Sequence, residues 1–102
     1  MLRDQGDLAG ALTAYRESLA VRKHLAEADP SNADWQRDLS CDLTKLADIL
    51  EQQGDIENSL PLALESLSID ERLSALDPTN VTWRQDLSIS RDLIARLRGG
   101  TQ

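Results

Sequence analysis

The sequence predicts an all-α chain, built as antiparallel helix–turn–helix units stacked into a short α-solenoid. Three observations carry this. First, the chain repeats itself: residues 3–50 laid over 51–98 without a gap give sixteen identities in 48 positions. Among them are Gln5-Gly6-Asp7 with Gln53-Gly54-Asp55, Asp29-Pro30 with Asp77-Pro78, and Trp35 with Trp83. A constant period of roughly 20–50 residues is the signature of a repeat architecture. Second, Trp35, Leu39, Leu43, Leu46 and Leu50 step by four, four, three and four, which puts them on one helical stripe. Third, no segment sustains period-two alternation and phenylalanine is absent, so nothing argues for strands.

Each element follows from its apolar spacing and its punctuation. Leu8, Leu12, Tyr15, Leu19 and Leu25 predict a first helix over about 8–28. Gly6 before it is expected to close an earlier helix in a left-handed conformation, with Asp7 capping the new start. Asp29-Pro30-Ser31-Asn32 ends that helix, because proline cannot continue the hydrogen-bond ladder, and caps a second over about 33–53. Gly54 and Asp55 repeat the stop and start, giving a third helix over about 56–76 on Ile56, Leu60, Ala63 or Leu64, Leu67, Leu73 and Leu76. Pro61 falls inside this helix, close enough to its start that one lost bond and a slight kink are tolerable. Asp77-Pro78-Thr79-Asn80 then opens a fourth over about 81–98. In it Arg91 and Arg98 replace Leu43 and Leu50, which lets that end of the stack meet water, as end units must. The expectation is one domain over 1–98, made of units 3–50 and 51–98, followed by a flexible tail over 99–102.

Composition narrows the function. The 102 residues are 40% hydrophobic and 28% charged, too apolar for a disordered acidic tail. The longest apolar run is three residues, far short of the roughly 20 that a bilayer needs, so no membrane partner is expected. Met1 to Asp7 shows no apolar secretory stretch, and the single Cys41 has no internal disulfide partner. Both features point to a cytoplasmic location. The net charge of −7 is spread evenly along the chain and would repel phosphate backbones, so nucleic acid is not an expected partner.

The unit resembles the tetratricopeptide repeat, a helix–turn–helix module of about 34 residues. Leu43, Leu46-Ala47 and Leu50 fall at the apolar places of its helix A, with Gly54 at the turn. Ala11, Tyr15 and Ser18 in one copy, and Ser59, Ala63 and Ser66 in the next, fall at the helix B places. Ala47 stands where the family has glycine and Leu50 where it has an aromatic. The period exceeds the family's by about 14 residues, close to four helical turns, or two added to each helix. That extension would pair the Trp35 end of helix A with the Leu73–Leu76 end of helix B. The spacing is similar to long repeats of bacterial proteins and, less closely, to those of kinesin light chains.

The resemblance implies a non-enzymatic protein–protein interaction scaffold whose helix A residues line a groove for a peptide or helix. Carried over by position, these are Cys41, Thr44, Lys45, Asp48, Glu51 and Gln52 on the first helix A, and Ile89, Asp92 and Arg96 on the second. Thr44 and Asp48 occupy the places of the basic clamp that some members use for a C-terminal carboxylate. Asp48, Glu51 and Asp92 suit either a groove for basic or polar ligands or an ordinary solvated face. Leu8, Leu12 and Tyr15 belong to a helix without its own helix A, so a homo-oligomer through this face is an alternative, as is an accessory segment of a larger signalling protein. No residues point to catalysis, a metal or a cofactor. His24 has only Arg22, Lys23 and Glu27 near it and reads as a surface residue, and Cys41 has no base or second ligand at useful spacing. Trp35 and Trp83 read as core, and Leu39→Ala or Leu87→Ala is each expected to cost about 2–5 kcal/mol.

Overall fold

The structure, a computed structural model, describes residues 2–99, and for residues 2–8 the backbone alone. Four helices account for it: α1 (Leu2–Ala28), α2 (Ala33–Gln52), α3 (Ile56–Leu76) and α4 (Val81–Leu97). No strand occurs among the described residues. α1 packs on α2, α2 on α3 and α3 on α4, and α2 also touches α4. The result is a slab of 44 × 36 × 20 Å, two helices thick, with α1 and α3 in one layer and α2 and α4 in the other.

The helix ends form where the sequence places their chemistry. Asn32 Oδ1 accepts from the Trp35 amide at 3.1 Å and Asn80 Oδ1 from the Trp83 amide at 3.0 Å, each satisfying one amide that the first helical turn leaves free. Asp55 accepts from the Asn58 amide at 3.3 Å and caps α3 in the same way. Gly54 sits at φ +79°, so its amide bonds Glu51 O and the Asp55 amide bonds Leu50 O, both at 2.9 Å. That paired closure needs a left-handed residue, which glycine alone adopts without a Cβ penalty. Pro61, exposed on the sixth residue of α3, does not interrupt the helix.

The first helix departs from expectation. It begins at Leu2, six residues early, and runs through Gly6 and Asp7, which therefore neither close one helix nor cap another. A glycine permits a left-handed turn but does not impose one, at a cost of only about 1 kcal/mol inside a helix. At Gly54 the turn is fixed by α3 folding back on α2. The expected tail over 99–102 lies outside the described residues beyond Gly99.

Two apolar clusters hold the slab. Ala26, Leu39, Leu43, Ile69 and Leu73 form one, where α1, α2 and α3 meet. Ala47, Ala63, Leu93, Ile94 and Leu97 form the other, where α2, α3 and α4 meet. The expected pairing of Trp35 with the Leu73–Leu76 end does not form. Trp35 is half-buried in a cavity it shares with α1 residues, and Leu76 is exposed. It is Trp83, also half-buried, that packs against the cluster containing Leu73. Leu87, the counterpart of Leu39, is also only half-buried, because among the described residues no helix lies on the outer side of α4. Arg91 and Arg98 on that side are exposed.

Candidate functional site

α2 and α4 lie side by side, and a groove of about 240 Å³ runs between them. Cys41, Thr44, Lys45 and Asp48 line it from α2, because spacings of three and four keep them on one helical face. Ile89 lines it from α4 and is 54% exposed, so it offers apolar surface to whatever enters. Five of the expected groove residues thus share one cavity. The other four, Glu51, Gln52, Asp92 and Arg96, do not line it; Gln52 and Asp92 are exposed, and Glu51 and Arg96 pair with each other.

Ion pairs across the groove change its polarity from what the acidic residues alone suggest. The Arg96 guanidinium reaches Glu51 at 3.0 Å and Asp48 at 3.5 Å, bridging α4 to α2. Arg37 Nε donates to Asp86 Oδ2 at 2.8 Å at the other end of the groove. Three carboxylates that would attract a basic ligand already have guanidinium partners. Among the described residues Lys45 makes no ion pair and is exposed. Partial burial pushes the Asp48 carboxyl above the usual aspartate range, and Arg96 works against that rise. Burial also pushes the Cys41 thiol up, with Arg37 opposing, so it is held as the protonated, weakly nucleophilic form.

The floor of the groove is a buried polar network that the sequence reading missed. Asp70 on α3 is 1% exposed and accepts from Ser40 Oγ of α2 and Ser90 Oγ of α4, each at 2.5 Å. Ser66 joins Ser40 at 2.8 Å, Thr44 at 2.8 Å and Ser90 at 3.1 Å. Every buried side-chain polar atom among the described residues has a partner, as so dry a site demands. Burial raises the Asp70 carboxyl, and the two serine hydroxyls pull it back. The signal for this network was Asp70 itself: four residues after Ser66 and three before Leu73, it occupies a core position on the α3 stripe.

A second cavity, about 420 Å³, opens between α1 and α2 and is lined by Ser18, Val21, Arg22, Leu25, Trp35 and Asp38. It is the larger of the two. Tyr15 is half-buried and shares its stripe with Ser18 and Arg22, one helical turn apart. Leu12, also half-buried, falls seven residues before Leu19 and fourteen before Ala26, on the stripe that packs into the α1–α2–α3 cluster. The side chain of Leu8 lies outside the described residues. His24 is exposed, as expected.

Paired antiparallel helices in two layers, with capped turns and a side-by-side α2–α4 face, define a helical-repeat scaffold. Residues 1–31 match the family model of the tetratricopeptide repeat. The match covers α1 and the turn after it, about a third of the sequence. No curated protein and no solved structure shows a match to the chain. Tetratricopeptide repeats are protein-interaction scaffolds in general, and among the described residues no helix is long and apolar enough to cross a membrane.

Proposed function

We propose that the protein is a non-enzymatic interaction module of a reducing, cytoplasmic compartment, and that it takes a segment of a partner protein in the α2–α4 groove. The observation that supports this is the convergence of Cys41, Thr44, Lys45 and Asp48 with Ile89 on one open cavity over a fully hydrogen-bonded floor. A floor fixed by Asp70, Ser40, Ser66 and Ser90 loses little freedom when a ligand binds, which favours affinity. The exposed Ile89 and half-buried Cys41 suit an apolar side chain of the ligand. Lys45, with no acid of its own, suits a carboxylate beside it. The ligand this groove favours is therefore apolar and acidic rather than basic, since Asp86, Asp48 and Glu51 already have guanidinium partners in Arg37 and Arg96, whereas Lys45 has no ion pair among the described residues.

A displayed random-peptide library panned against the protein tests this. Selected peptides should pair an apolar residue with an acidic one and shift the amide resonances of Cys41, Lys45 and Ile89. Ile89→Asp and Lys45→Glu should each weaken them at least tenfold without changing the melting temperature. Peptides that bind parent and both variants equally would place recognition elsewhere.

A further inference from the structure

α1 and α3 both pack on α2 but not on each other, which leaves a cleft between them. Two cavities of about 320 and 350 Å³ share Pro30, Gln36, Ile69 and Arg72, so the cleft is continuous. Its walls and floor are three consecutive helices, and no residue lines both it and the α2–α4 groove. Leu73 and the 73% exposed Leu76 supply apolar surface towards one end. Towards the other, Lys23 Nζ of α1 reaches Glu65 of α3 at 3.8 Å and spans the cleft. Walls that two side chains can bridge leave no room between them for a helix about 10–12 Å across. Three polar groups stand ready inside. Gln36 is 9% exposed and its Nε2 donates to the Ala26 carbonyl at 3.1 Å, but its Oε1 accepts from no described residue. Every fully buried side-chain polar atom there has a partner, so this oxygen lies at the cleft surface. Glu27 on the α1 wall and Arg72 on the α3 wall make no ion pair among the described residues. Opposite walls thus carry opposite, unpaired charges above a carboxamide acceptor.

We propose that this cleft binds an extended segment of a partner protein in which an acidic, a basic and an apolar residue follow one another, in either chain direction. Gln36 Oε1 accepts from a main-chain amide of the segment, a bond that fixes its depth without fixing its direction. Successive side chains of an extended chain point to opposite sides. An acid facing Arg72 therefore puts its basic neighbour against Glu27. The third side chain returns to the α3 wall about 6.6 Å further on. From Arg72 to Leu76 is one helical turn, about 6 Å, so that side chain falls on Leu73 and Leu76. A segment of uniform charge satisfies one wall and is repelled by the other.

The probes are two synthetic peptides, with Glu-Lys-Leu or Leu-Lys-Glu at the centre between Gly-Ser flanks, titrated into the isotope-labelled full chain and followed by NMR. At least one should saturate, shifting the Gln36 side-chain amide together with the backbone amides of Arg72 and Leu76. Arg72→Glu should weaken that peptide at least fivefold, and lysine in place of the peptide's acid should restore binding. Glu27→Lys should do likewise, with glutamate in place of the peptide's base as the rescue. Both parent side chains are exposed, so neither variant threatens the fold. No saturation by either peptide, equal binding by parent and variants, or a loss that the matching peptide fails to restore overturns the proposal. Shifts confined to Cys41, Lys45 and Ile89 overturn it too, and assign the peptides to the α2–α4 groove.

Discussion

α1 and α3 carry the same positions of the same repeat and live in different surroundings. Ser59, Ala63, Ser66, Ile69, Asp70 and Leu73 on α3 are all at most 3% exposed, while none of their counterparts on α1 is buried. The residues differ most at Tyr15 against Ala63 and Arg22 against Asp70, and the neighbour differs as well, since α2 covers the α3 face and no helix among the described residues covers that of α1. Burial in a stack of this kind is a property of the pair of helices in contact. The same position is core in one copy and exposed or half-buried in the other.

The largest effect should separate the two faces directly. Leu43→Ala, at 1% exposure, should cost about 2–5 kcal/mol in urea unfolding, through lost transfer and a residual cavity. Val21→Ala on the open face should stay within about 0.5 kcal/mol of the parent. Equal losses at both sites would mean that α1 is covered in solution. Overpacking sharpens the contrast. Ala63→Leu forces side-chain volume between α3 and α2 and should cost about 1–3 kcal/mol. The reverse change at the matching place, Tyr15→Ala, should cost less, because half of that side chain already faces outward.

The pH dependence distinguishes the polar nodes of the two faces. Asp70 is buried and its carboxyl titrates above the usual range, so the folded state holds a proton more tightly than the unfolded chain. As pH falls through that raised value the parent therefore gains stability, and as pH rises it loses it. Urea midpoints of the parent and Asp70→Asn should accordingly shift in the parent's favour from pH 7 towards pH 4. A difference constant across that range would show that Asp70 titrates normally. The smallest effect belongs to the exposed brace across the groove. Arg96→Gln removes contacts to Glu51 and Asp48 and should cost about 0–1 kcal/mol, shrinking further in high salt.

What the sequence disclosed was local. Asn32 and Asn80 announced their helices because a cap involves residues three apart, and Gly54 announced its turn for the same reason. Gly6 carries the same local signal and stays helical, since a glycine permits a left-handed turn without imposing one. Helical spacing also put Cys41, Thr44, Lys45 and Asp48 on one face. It could not disclose that Arg96 would reach Glu51, 45 positions away, because that depends on how α2 and α4 lie together. Asp70 was hidden for a related reason. A carboxylate reads as surface until the partners that let it be buried, Ser40 and Ser90, are brought to it by two other helices.

Residue-resolved amide hydrogen exchange measures the contrast between the two faces most directly. Positions 59–73 of α3 should exchange only through global unfolding. Positions 11–25 of α1, packed on one side alone, should exchange at least a hundredfold faster. Equal protection along both helices would contradict the account, because it would mean that the α1 face already has a cover in solution.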